Sequence, residues 1–116
     1  MKHVNYKDVK EEVPEDEGIK DLTIRWLISK DDGAKNFAMR LFEVAPGGHS
    51  PWHQHEHEHE MFILEGDGVA KSEDGEIKFQ AGDAFFIEPW IWHNFNNTGD
   101  KPLKFLCLIP YLKKEK

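Results

Sequence analysis

The sequence predicts an all-β chain whose strands close into an antiparallel barrel or two packed antiparallel sheets. Segments rich in β-branched and aromatic residues recur about every 8–12 residues, with turn signals between them. No segment carries a sustained helical period. Several segments are apolar on both of their alternating residue sets.

Asp21–Ser29 (DLTIRWLIS) and Asn36–Ala45 (NFAMRLFEVA) alternate and favour extended backbone. Pro46-Gly47-Gly48 reads as a turn. His59–Glu65 (HEMFILE) reads as a strand and Gly66-Asp67-Gly68 as the turn after it. Asp74-Gly75 is a two-residue hairpin signal between VAKSE and EIKFQ. Ala81-Gly82-Asp83 turns again, and Ala84–Glu88, His93–Asn97 and Leu103–Ile109 complete the strands. In His59–Leu64 one set is His59, Met61 and Ile63, and the other is Glu60, Phe62 and Leu64. A lone barrel would leave one of those faces polar, so the second apolar set points to a covering subunit.

The 116 residues fit one domain, 1–116, opening on an acidic segment over 1–20 that is expected to be solvated and partly mobile. A formal charge of −7 without a Lys/Arg cluster excludes nucleic acid and anionic membranes as natural partners. Cys107 is the one cysteine, so no internal disulfide forms and no oxidising compartment is needed. The N-terminus has no apolar stretch of signal-peptide type. The longest mostly apolar run, Phe105 to Leu112, is far short of the roughly 20 residues that span a bilayer. These features together predict a soluble cytoplasmic protein.

Seven histidines is a high count, and five of them lie between His49 and His59. His53 and His55 are two apart, which on a strand would put both rings on one side. His59 opens the next apolar strand, and His93 lies far along the chain. Ligands drawn from three places around a barrel can surround one divalent ion, and neutral imidazole suits first-row transition metals. His57 is read as a solvated corner residue, with His49 and His3 as background.

The spacing resembles a known family. Gly47-x5-His53-x-His55-x3-His59-x6-Gly66 resembles the first cupin motif, and Gly82 to Asn97, with His93 and a closing Asn97, resembles the second. The motifs span 47–66 and 82–97. Three positions depart from the family pattern: His59 stands at the glutamate ligand position, Glu88 at the first proline and Trp90 at the glycine. Counting back from Gly66 reaches His59 rather than Glu60, and a one-residue slip would turn the side chain to the other face. An H-x-H-x3-H set with a distant fourth histidine is similar to the small four-histidine manganese cupins, as are NFAMRLFEVAPGG, HEMFILEG and FLCLIP. The resemblance implies a jelly-roll barrel, a homodimer, and one metal ion per chain on His53, His55, His59 and His93. It also implies a small-molecule ligand and oxygenase-like chemistry.

Manganese is favoured by the resemblance, while imidazole ligands by themselves favour iron, nickel, copper or zinc. Four neutral ligands would leave the ion its full positive charge and favour bound anions. No nucleophile–base pair or second carboxylate accompanies the motifs, so chemistry would be centred on the metal. Metal retention is expected to weaken steeply below about pH 6, as imidazoles of ordinary pKa take up protons. Around the ligands, Met61 and Phe95 are candidates for the pocket; Cys107, alternating with Phe105 and Ile109, reads as a buried small hydrophobe, with a place beside the metal pocket as the alternative that the resemblance implies. Trp52, Trp90 and Trp92 flank the ligands as rim or interface packing, with an aromatic wall for a substrate as the alternative for any of them. The other reading is a non-catalytic small-molecule-binding module, or a non-redox isomerase or lyase of the same shape.

Overall fold

A computed structural model of the chain describes residues 1–112. Eight strands form: β1 (Lys20–Ile28), β2 (Phe37–His49), β3 (His59–Glu65), β4 (Asp67–Ser72), β5 (Gly75–Gln80), β6 (Ala84–Ile87), β7 (His93–Asn96) and β8 (Leu103–Pro110). The only helical elements among the described residues are two single 3₁₀ turns, Tyr6–Asp8 and Lys30–Asp32. The strands pair antiparallel in one curled sheet ordered β5-β4-β7-β2-β8-β3-β6, with β1 on β2. The architecture is all-β and antiparallel, as the strand spacing predicted, and consistent with the jelly roll that the family resemblance implies. No described helix is long and apolar enough to cross a membrane.

The two ends of this path, β5 and β6, are joined by side chains. Phe79 of β5 meets Phe85 of β6 edge-on at 5.7 Å, and Phe85 meets Phe95 of β7 at 5.3 Å. Phe95 also packs on Phe105 of β8 at 5.8 Å. Such aromatic pairs add roughly 0.5–1.5 kcal/mol each beyond their area. Around them Val44, Ile63, Leu103 and Cys107 are fully buried. The inner set of β3 is therefore His59, Met61 and Ile63, all buried, while Glu60, Phe62 and Leu64 face outward and are exposed.

Three turn expectations need correction. In Gly66-Asp67-Gly68 only Gly66 links two strands, because β4 already begins at Asp67, which pairs with Gln80. Pro46-Gly47-Gly48 does not end a strand, because β2 runs through it to His49. The five-residue step from Val44 to His49 faces a two-residue step from Leu22 to Lys20 on β1, which makes a wide bulge. Gly47 supplies φ +82 there, and a Cβ on Gly48 would come within 2.5 Å of the Lys20 carbonyl oxygen. The bend lets one strand serve both halves of the barrel, pairing β8 through its first part and β7 at His49. In the β4–β5 hairpin the loop residues are Glu73 and Asp74, since Ser72 pairs with Gly75. Gly75 opens β5 instead of closing the turn.

The acidic N-terminal segment is mostly exposed, yet it is tied to the barrel. Glu12 bridges Ile24 by two backbone hydrogen bonds of 2.9 and 2.8 Å. Arg25 Nε donates to the Val9 carbonyl, and Lys2 pairs with Asp32 at 2.6 Å. The segment carries Pro14 and Asp16 to the mouth of the barrel.

Candidate metal centre

The histidines meet at one end of the barrel, though not as strand geometry alone would place them. His53 and His55 lie in the loop between β2 and β3 rather than on a strand, so period-2 alternation does not orient them. The loop is held by backbone pairing. His53 and His93 exchange N–H···O bonds of 3.2 and 3.0 Å, and Trp90 N–H donates to the His55 carbonyl at 2.9 Å. His59 is the first residue of β3 and His93 the first of β7. Trp90, standing where the cupin pattern has glycine, takes the left-handed conformation a glycine would supply, at φ +66.

Ring centroids of His53, His55 and His93 lie 4.9 to 5.0 Å apart. His55 and His59 stack at 4.1 Å, and His59 is 5.9 Å from His93. Donor atoms of His53, His55 and His93 fall within 4.8 Å of one another, and so do those of His55, His57 and His59. His55 belongs to both groups.

The hydrogen bonds tell which nitrogens are free. His55 Nδ1 lies 2.8 Å from the His57 carbonyl, and His93 Nδ1 lies 2.8 Å from the Ile91 carbonyl. A carbonyl only accepts, so each Nδ1 carries the proton and each Nε2 keeps the lone pair. His59 Nδ1 sits 3.2 Å from Cys107 Sγ. The Nε2 atoms of His55 and His59 are buried without a partner. Orphaned buried nitrogens are rare in folded proteins, and a metal ion would satisfy both at once.

Burial, more than any neighbouring charge, depresses all five rings. His53 and His57 fall to about 4 and His59 to about 2; His55 and His93 are lowered as well. Adjacent imidazoles push His53, His57 and His59 further down, and the Arg40 charge acts on His55, His57 and His59. At neutral pH the rings are neutral and able to donate. Proton competition with a bound metal therefore begins lower than imidazoles of ordinary pKa would set it, because burial resists the charged form.

An internal cavity of about 70 Å³ opens onto the cluster, lined by His53, His59, His93, Arg40, Met61 and Cys107 among others. Phe95 also lines it. Trp52 and Trp92 do not: they stack on each other at 6.2 Å, both exposed. Trp90 is exposed too. Glu60 is exposed and borders a groove on the outer face. His57 is half-buried rather than a solvated corner residue, its ring parallel to that of His55 at 4.2 Å. Arg40 and Asp16 escaped the sequence reading. The signal for Arg40 was present: a cation in the inward set Ala38, Arg40, Phe42, Val44 of an otherwise apolar strand face.

The cupin pattern is also found by comparison with known proteins. Residues 40–109 match the Cupin_2 family model, described as a cupin domain. A 1-methylthio-D-xylulose 5-phosphate methylsulfurylase from Rhodospirillum rubrum is 39% identical over 71 residues, 61% of this chain and 46% of its own. Gentisate 1,2 dioxygenase 1 from Aquipseudomonas alcaligenes is 38% identical over 61 residues, 52% of this chain and 18% of its own. An oxalate-binding protein from Thermotoga maritima is 33% identical over 87 residues, 72% of this chain and 70% of its own. The chain thus spans less than half the length of the first two relatives. Among solved structures, the polyketide cyclase RemF from Streptomyces resistomycificus superposes with a TM-score of 0.90 at 38% identity, over 95% of this chain and 79% of that one. The matched segment covers more than half of the sequence and includes every histidine of the cluster, so the chain belongs to the Cupin_2 family of cupin domains.

Proposed function

We propose that the chain binds one divalent metal ion on His53, His55, His59 and His93 and acts there as an oxygenase-like metalloenzyme on a small organic ligand. One observation carries the reading: neutral, converging imidazoles, with the Nδ1 atoms of His55, His59 and His93 engaged and the buried Nε2 atoms of His55 and His59 lacking partners among the described residues. His59 is preferred to His57 because it lines the cavity beside His53 and His93, while His57 stacks behind His55 and supplies the carbonyl that orients it. A divalent ion held by neutral rings would supply Lewis acidity and redox chemistry. His55 and His93 are held in one tautomer by backbone carbonyls, and Met61 and Phe95 form an apolar part of the cavity wall. The gentisate dioxygenase relative supports the oxygenase reading.

Manganese is the metal we favour, with iron, nickel, zinc or copper able to compete on an all-imidazole set. A homodimer in the cytoplasm completes the proposal, resting on the exposed apolar outer face and the single cysteine. The test is elemental analysis of protein purified without a histidine tag, followed by oxygen-electrode assays over small organic acids and phenols. One equivalent of metal with substrate-dependent oxygen uptake supports the proposal, and protein that retains no metal refutes it. The small cavity and the oxalate-binding relative favour a second reading, a non-catalytic small-molecule binder. Tight ligand binding with no oxygen uptake would select it.

A further inference from the structure

Arg40 is a cation beside the histidine cluster with no counter-ion among the described residues. It stands in the middle of β2, opposite Trp26 on β1 and Cys107 on β8, so all three share one side of the sheet, with Cys107 buried and Trp26 exposed. Its guanidinium lies 5.0 Å from the Phe42 ring centroid and 5.4 Å from that of Trp26. Its one hydrogen bond among the described residues runs from Nη2 to Cys107 Sγ at 3.0 Å. Burial raises the Cys107 pKa, so the thiol is neutral and offers no charge in return. Arg40 Nε is buried and has no hydrogen-bond partner among the described residues.

No carboxylate among the described residues lies within ion-pair distance of Arg40. The chain's other inward or edge cations are treated differently: Arg25 reaches Glu11 and Glu43, and Lys104 reaches Glu43 and Glu65. Arginine cannot shed its proton to escape the cost, and a half-buried, unpaired charge with an orphaned N–H is expensive. Asp16 lines the same cavity but is not paired with Arg40; its field falls on His53. The positive field of Arg40 reaches His55, His57 and His59. In a chain of net charge −7, this cavity has a positive wall.

We infer that the cavity takes a small carboxylate anion, one carboxylate seated on the Arg40 guanidinium and the remainder of the ligand at the histidine cluster. The inference rests on the proposed metal centre for the second end of the ligand. A planar fork of N–H donors matches a carboxylate with two hydrogen bonds, and Trp26 and Phe42 hold that fork in place from behind. The cavity of about 70 Å³ holds roughly five waters by the same measure. That limits the ligand to a compact acid, such as a two- to four-carbon oxo acid, hydroxy acid or dicarboxylate.

The test uses manganese-loaded protein titrated calorimetrically with two probes, oxalate and imidazole. Both can occupy a metal, and only oxalate carries carboxylates. Wild type, R40M and R40K are compared after far-UV circular dichroism and metal analysis show each to be folded and loaded. R40M is expected to bind oxalate at least about tenfold more weakly, with imidazole affinity within about twofold of wild type. R40K should recover part of the loss. Equal oxalate affinity in wild type and R40M overturns the inference, as does wild type that binds imidazole but not oxalate. Metal-free wild type and R40M are titrated with oxalate in parallel. Failure to load manganese, with oxalate binding that still depends on Arg40, would remove the metal centre and leave the anion site standing.

Discussion

His59 and Glu60 are neighbours in sequence and lie on opposite faces of β3, one buried at the barrel's inner end and the other exposed. Replacing His59 by Ala should abolish metal retention, whereas Glu60→Gln should leave it within about twofold, as read by metal content after dialysis. The opposite order would place the ligand set one residue out of register. Acid should also weaken the metal-free protein, by a sign that follows from the buried rings. The unfolded chain protonates its histidines near pH 6.5, while the folded chain resists until about 4 at His53 and His57. Between those limits the unfolded state binds more protons, so stability present above pH 6.5 is lost as pH falls toward 4. Thermal melts of metal-free protein should be level from pH 8 to 7 and drop from 6.5 to 4. A level profile throughout would mean that the rings are not buried neutral. Spacing revealed these histidines in the sequence. Motif spacing does not bear on Arg40: the sequence shows it only as a cation in the alternating set Ala38, Arg40, Phe42, Val44, and the register opposite Cys107 on β8 places it beside the cluster.

Strand-scale features were read well where period and turn chemistry agreed. The β3 and β8 segments appeared nearly as expected, and Asn97, the closing residue of the second motif, is buried with its amide donating to the Val44 and Lys101 carbonyls at 2.8 Å. The reading failed at β2, where Pro46-Gly47-Gly48 has the composition of a turn but works as a bulge inside a strand. Gly48→Ala should test that bend. Its Cβ would meet the Lys20 carbonyl and the Val44 side chain, so the melting temperature should fall by several degrees. Trp90 is the converse case. A non-glycine residue in the left-handed region costs about 1–2 kcal/mol, and Trp90 is mostly exposed. Trp90→Gly should therefore leave the fold intact and raise the melting temperature. A fall would mean that the indole holds the turn that carries His93.

At the scale of the whole molecule, the outer face of the β8-β3-β6 half is unusual. Phe62, Leu64 and Phe86 are 44%, 45% and 54% exposed on adjacent strands. Leu106 and Leu108 of β8 stand beside them, paired with Phe62 and Glu60. Burial of several such side chains, at about 25 cal/mol for each Å² of apolar surface, is of the size that drives subunit association. Light scattering at tens of micromolar should give twice the mass of one chain, and Phe62→Lys combined with Phe86→Lys should halve it. A wild-type monomer at that concentration would refute the dimer.

The sequence by itself determined the fold class, most strand positions and the histidines that gather, because strand period and motif spacing are local properties of the chain. Tertiary structure decided the rest. The loop bearing His53 and His55 is oriented by pairing with His93 and Trp90, some 40 residues away, not by its own periodicity. His57 joins the cluster because the loop curls its ring onto His55. Arg40 faces the histidines because β2, β8 and β3 stand side by side in one register, which places Cys107 between Arg40 and His59. Contacts between distant segments depend on how strands are ordered across the sheet, and that order is set by the packing of the curled sheet as a whole.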